Sequence, residues 1–187
     1  PTRELATAGQ ITGQLEAERF AAGLTVTGGL KATLSTLSSR DKTLAQDVRM
    51  AIELIGQHAE SREIAGAVLG GRLDATGGAP LVWLNEWLPA GWQIAPPETD
   101  TPATLEGKAS FDVPALLDLF ERPPMEALNG GIDLSARLTA SRPDFMAIVG
   151  DVRLERAHVT ANELTYVQSD VTRFRLSGGA LTIDSLD

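Results

Sequence analysis

Few residues of this sequence have the type and spacing that catalysis or metal binding requires. The two histidines, His58 and His158, lie far apart, and neither has a second ligand at metal-binding spacing. Asp151 and Glu155 share the polar face of one predicted strand, where solvation explains them better than a catalytic carboxylate pair. The glycine-rich stretch 70–78 lacks the Lys-Ser/Thr pair of a phosphate loop. We therefore expect no enzyme, no cofactor and no metal.

The three tryptophans form the other chemically distinctive group. Trp83, Trp87 and Trp92 fall within ten residues. They are predicted to plug one edge or end of a sheet. The alternative is a gate at a hydrophobic opening or a contact with a lipid interface, where the mixed polar and apolar character of indole is favoured.

Two stretches around these residues have apolar spacing closer to a helix than to a strand. Residues 80–90 lie between two prolines, and residues 113–121 follow a candidate capping residue, Asp112, with Pro114 in the first turn. Both stretches are predicted to be short helical insertions between strands.

Most of the chain alternates apolar and polar residues, which indicates strands with one dry and one wet face. The stretch 130–140, GGIDLSARLTA, is the clearest case. A strand is also predicted at 10–18. The main apolar positions of these strands are Leu24, Val26, Leu30, Leu34, Val48, Met50, Ile52, Leu54, Leu105, Phe111, Ile132, Leu134, Leu138, Ile148, Val152, Leu154, Phe174, Leu176, Leu181 and Ile183.

Glycine pairs punctuate the alternating runs and are interpreted as tight turns. They are Gly28-Gly29, Gly70-Gly71, Gly77-Gly78, Gly130-Gly131 and Gly178-Gly179. About ten to twelve strands with short connections predict a mostly β fold, built as an elongated antiparallel meander. Weak repetition relates residues 10–79 to residues 102–187.

The amino-acid composition limits the classes of partner that the chain is expected to bind. The formal net charge is −9, which disfavours binding to nucleic acid. There is no cysteine, so neither a disulfide framework nor a thiolate site is predicted. No apolar run approaches the length of a membrane span. We expect residues 1–187 to be one continuous segment of a larger protein.

The order of elements in the second half resembles the AsmA-like superfamily, which includes TamB-type and YdbH-type proteins. A leucine-rich helical passage, 116–120, precedes a glycine-led strand at 130–140. A loop containing Pro143 follows, then a strand of the form G-x-V-x-L-x-x-A at 150–157 and a closing strand pair at 174–186. Residues 24–37 and 64–76 look like an earlier, more divergent copy.

The resemblance implies a long sheet curled into an open, taco-shaped groove, lined by the apolar positions given above. Its implied role is to shield phospholipid acyl chains moving between the inner and outer membranes. It also implies a periplasmic location, with the parent protein anchored in the inner membrane of a diderm bacterium. An outer-membrane barrel protein of the TamA/BamA type is the implied protein partner.

Alternation alone leaves three interpretations open. The dry face could line a lipid groove, or it could pack against another sheet in a sandwich or barrel of purely structural role. A third class is a scaffold for outer-membrane protein assembly, whose open sheet edges accept strands of a client.

Overall fold

The computed structural model describes residues 5–39, 42–97, 100–118, 128–168 and 170–186. Strands dominate these residues, as their alternating sequence predicts. The strands are β1 (Leu5–Phe20), β2 (Gly23–Ser39), β3 (Lys42–Ile55), β4 (His58–Val68), β5 (Gly71–Pro80), β6 (Ala103–Asp112), β7 (Leu128–Ala140), β8 (Ile148–Ala161), β9 (Leu164–Val167), β10 (Thr172–Ser177) and β11 (Ala180–Leu186).

All eleven strands belong to one antiparallel sheet. Its order is β1-β2-β3-β4-β5-β6-β7-β8-β10-β11, and β9 pairs with the end of β8. The sheet does not close, so its two outermost strands are β1 and β11. The predicted mostly β, antiparallel meander is thereby confirmed, and the interpretation as a closed barrel is wrong.

The non-strand elements are short. Residues Leu81–Glu86 and Phe145–Ala147 form 3-10 helices. One α-helix, α1, spans Val113–Asp118, and the Asp112 carboxylate accepts a hydrogen bond from the Ala115 N–H at its start. Part of the helix predicted at 113–121 lies outside the described residues.

Three of the five glycine pairs were wrongly interpreted as turns. Gly28-Gly29, Gly77-Gly78 and Gly130-Gly131 lie inside β2, β5 and β7. One glycine of each pair, namely Gly28, Gly77 or Gly130, lies close to the neighbouring strand: a Cβ on Gly77 would lie only 2.6 Å from the carbonyl oxygen of Thr104 in β6. Gly178-Gly179 does form the β10–β11 turn, with positive φ at both residues.

The accessible surface shows that the sheet forms a single layer, since a packed double layer would expose much less area. The accessible surface is 12640 Å², whereas a compact protein of this size exposes about 8,600 Å². No large side chain of the described residues falls below 2 % exposure. The β-sandwich interpretation is therefore wrong for the described part of the chain.

Candidate functional site

The strand register gathers the apolar positions into rows that cross the whole sheet. Residues directly opposite each other on neighbouring strands point to the same face. One such row crosses ten strands without a polar residue. It consists of Ile11, Ala32, Met50, Ile64, Ala75, Gly107, Ala136, Val152, Phe174 and Ile183.

A second row runs beside the first, offset from it by two residues on each strand and by three on β4, where the register shifts. It consists of Gly13, Leu30, Ile52, Ser61, Gly77, Leu105, Leu138, Gly150, Leu176 and Leu181. Its one polar member, Ser61, has its hydroxyl oxygen 2.9 Å from the carbonyl oxygens of Ala51 and Glu63. The hydroxyl is thus satisfied within a β-bulge of β4, and the face stays dry.

We call this surface the apolar face. It carries all twenty apolar positions singled out from the sequence, because they occupy these rows or lie an even number of residues from them on the same strands. Most of them are half-buried, while Ile183 on β11 is 60% exposed. Ile11 on β1, which belongs to the first row but not to the twenty, is 73% exposed. The role of the twenty positions as contacts of a lipid stays a prediction.

The opposite face is charged, and ion pairs connect its neighbouring strands. Arg137 donates from Nη2 and Nε to the Glu106 carboxylate, at 2.6 and 3.1 Å. This hydrogen bonding, aided by the positive charge, holds the pKa of the Glu106 carboxyl below its ordinary value. Arg156 pairs with Asp133 across β7 and β8, at 2.7 Å. These pairs are solvent-exposed, so each adds little to stability.

A cleft of about 740 Å³ lies on this charged face, across β5 to β8. Asp151 and Glu155 line it together with Lys108 and Arg153, and Glu155 accepts a hydrogen bond from Ser135 at 2.5 Å. Both carboxylates thus belong to a solvated surface on which acidic and basic side chains are mixed. A charged and solvated lining of this kind does not favour the binding of an acyl chain.

Residues 81–97, here called the cap segment, cover one end of the apolar face. Leu81 and Ile94 are buried against Leu54 of β3, with Val26 and Leu88 packed around them. A short parallel bridge joins Ile94 to Leu24 of β2. The cap segment therefore closes the dry surface near the β1–β2 and β3–β4 turns.

Side-chain hydrogen bonds fix the cap segment in place. The Asn85 amide donates to the Ile94 carbonyl at 3.0 Å and accepts from the Ile94 N–H at 2.7 Å. Arg19 Nη2 donates to the Gly91 carbonyl at 2.6 Å. None of these residues was singled out from the sequence. The one available signal was Ile94, an isolated large apolar residue next to a proline-rich loop.

The tryptophans lie on the outside of the cap segment. Trp87 and Trp92 are 72% and 63% exposed, and Trp83 is half-buried. The residues that seal the sheet end are aliphatic. The proposed gate function of the tryptophans stays a prediction.

We expect Leu81→Ala to cost about 2–3 kcal/mol of unfolding free energy, because it empties a buried site between the cap segment and β3. Trp87→Ala removes a larger side chain but an exposed one, and should change stability by less than about 0.5 kcal/mol. Urea denaturation followed by circular dichroism measures both. A larger loss for Trp87→Ala would contradict this assignment of the cap contacts.

The described residues contain no group of three or more His, Cys, Asp or Glu side chains able to hold a metal ion. His58 lies half-buried at the start of β4, and His158 is exposed on β8. No helix within the described ranges has the length and apolarity needed to cross a membrane.

Comparisons with protein-family models, with curated proteins and with solved structures find no match for this chain.

Proposed function

We propose that this chain shields phospholipid acyl chains on its apolar face, as a periplasmic segment of a protein that moves phospholipid between the inner and outer membranes. One observation carries the proposal: two rows of residues cross ten strands with Ser61 as their one polar member, and the cap segment covers one end of this surface. A soluble protein rarely leaves so large a contiguous apolar surface without a ligand or partner.

The dimensions of the apolar face fit acyl chains. Ten strands at a spacing of about 4.8 Å span roughly 43 Å between the first and the last. An acyl chain occupies about half of a 30 Å hydrocarbon core, so the face has room for more than one in line. Each methylene moved from water to the face gains about 0.8 kcal/mol. The aliphatic lining provides this gain without fixing a headgroup.

Local backbone geometry supports an open groove rather than a flat surface. A Cβ built on Gly107 would lie 2.5 Å from the Cβ of Ala75, whereas opposite Cβ atoms in a sheet are normally about 4.5–5.5 Å apart. This close approach of β5 and β6 on the apolar side is what supports the proposed bend of the sheet toward that side. The β-bulges in β3, β4 and β8 add local twist and bending.

The membrane context of the proposal comes from the resemblance to the AsmA-like superfamily. On that basis the parent protein is anchored in the inner membrane of a diderm bacterium and meets an outer-membrane barrel protein of the TamA/BamA type. Headgroups would remain at the solvent-exposed mouth of the groove, away from the dry rows. The charged outer face, with its balanced ion pairs, then keeps the segment in water.

Native mass spectrometry of the purified chain, followed by organic extraction, tests the proposal. We expect adducts with phospholipid masses, and the same lipids in the extract. Protein stripped of lipid should regain the adducts when incubated with phosphatidylethanolamine vesicles. A chain that purifies without lipid and takes up none from the vesicles would refute the proposal.

A further inference from the structure

The cap segment and the loop between β7 and β8 lie at the same end of the sheet. The register shows this, because Ala103 at the start of β6 pairs with Ala140 at the end of β7. We call the cap segment and residues 141–147 together the loop rim. The strands that it connects, β5 to β8, each have a neighbour on both sides. The exposure of the loop rim therefore does not depend on the edges of the sheet.

The loop rim exposes a group of large apolar side chains. Trp87 and Trp92 are 72% and 63% exposed in the cap segment, and Phe145 and Met146 are 62% and 56% exposed in the β7–β8 loop. Single exposed apolar residues are ordinary on a protein surface. Four large ones in two successive connections at one end of a sheet indicate a binding surface.

Hydrogen bonds hold the tryptophan-bearing part of the loop rim in place. Residues 93–95 pair with β2 at Leu24, a position that β3 does not reach. The Leu24 N–H donates to the Gln93 carbonyl at 2.8 Å, and the Ala95 N–H donates to the Leu24 carbonyl at 2.9 Å. The Gln93 side-chain amide donates to the Leu88 carbonyl at 3.1 Å. The two tryptophans are thus exposed on a fixed backbone.

The chemistry of the loop rim suits the boundary between lipid and water. Tryptophan is favoured there, because its ring is apolar and its indole N–H is polar. The sequence has no charged residue between Glu86 and Glu98. In the β7–β8 loop Arg142 pairs with Asp144 at 3.2 Å. The loop rim therefore has no excess of positive charge that would attract anionic headgroups.

We propose that the loop rim docks on the surface of a zwitterionic phospholipid bilayer, with Trp87 and Trp92 at the level of the headgroups. Transfer of apolar side chains out of water drives this binding, since the chain carries a net charge of −9. The contact deepens the proposed function, on which it rests for the kind of lipid. The inner side of the cap segment packs on the apolar face, so docking brings the surface that shields acyl chains next to a membrane.

Flotation with vesicles of phosphatidylethanolamine and phosphatidylcholine tests the docking. We expect the wild-type chain to float with the vesicles. The double variant Trp87→Ala, Trp92→Ala should lower the partition coefficient about tenfold or more. The matched control is Leu164→Ala, Tyr166→Ala, which removes two exposed side chains from β9 at the opposite end of the sheet. The control should float like the wild type. Equal flotation of the tryptophan variant and the wild type would overturn the proposal.

The dependence on charge is a second test. Binding should persist when the salt concentration is raised, and it should weaken when phosphatidylglycerol replaces part of the zwitterionic lipid. Stronger binding to the anionic vesicles, abolished by salt, would overturn the proposal, because it would show attachment through basic side chains.

Native mass spectrometry separates docking from lipid shielding. The tryptophan variant should still take up phospholipid from detergent micelles, because its apolar face is intact. A wild-type chain that carries phospholipid but does not float would overturn docking alone. A chain that floats but carries no lipid would overturn lipid shielding alone. Failure to float, together with self-association that the tryptophan variant abolishes, would overturn docking and assign the loop rim to a second copy of the chain.

Discussion

Leu134→Arg is expected to remove bound phospholipid while leaving the sheet folded. Leu134 lies half-buried in the middle of the apolar face, between Ala109 of β6 and Leu154 of β8. A charge at this point makes the dry surface unfavourable for an acyl chain. In a single-layer sheet the long arginine side chain reaches water, so we expect a stability loss of only about 1–2 kcal/mol. An unpaired charge in a closed core would cost about 3–5 kcal/mol.

The matched control is the next residue on the same strand. Ser135 points to the charged face, where it donates to Glu155. Ser135→Arg should therefore keep the lipid adducts in native mass spectra. Loss of lipid from both variants, or from neither, would show that the apolar face is not the binding surface. The same experiment on Val152→Arg tests a neighbouring row.

The second large effect is expected at Gly107, where Gly107→Val should cost about 3 kcal/mol of unfolding free energy. Its Cβ would lie 2.5 Å from the Ala75 Cβ and 2.7 Å from the Asp74 carbonyl oxygen. The oxygen belongs to the backbone of β5, so neither contact is relieved by a rotamer change, and the strands must separate. Urea unfolding monitored by circular dichroism measures the loss.

Gly29→Val is the control for this substitution. Gly29 also lies inside a strand, and the nearest atom to its added Cβ, the Ile52 carbonyl oxygen, is 3.8 Å away. The change should be neutral or stabilising, since valine is favoured in strands. A comparable loss at Gly29 would indicate that any side chain in place of a strand glycine is harmful. The convergence of β5 and β6 would then lose its support.

The two faces followed from the sequence because period-two alternation has a single physical interpretation in a strand, and the antiparallel order followed from the short connections. Leu134 and Ser135 are adjacent in sequence and opposite in environment, as the pattern requires. Glycine has no such single meaning. Gly178 supplies a turn through positive φ, whereas Gly77 allows two strands to approach, and nothing local in the sequence separates these uses.

The cap segment was the least predictable part of the candidate site. Its contacts join Asn85, Ile94 and Leu54, which are brought together only by the finished sheet. Sequence composition drew attention to the tryptophans because they are rare and large. In the structure the buried large side chains of the cap segment are those of Leu81 and Ile94, which pack against the ends of the strands.

The strand order of the sheet has a consequence for how the chain acquires its structure. Apart from the offset of β9, every strand pairs with the strand made just before it, so contact order is low for an all-β protein. No described strand needs a partner from a distant part of the polypeptide, so the sheet can form by successive hairpins. Folding of this kind is vectorial, because it can proceed during synthesis from the amino terminus. Each newly formed strand edge is then exposed only until the next strand has been synthesised and pairs with it.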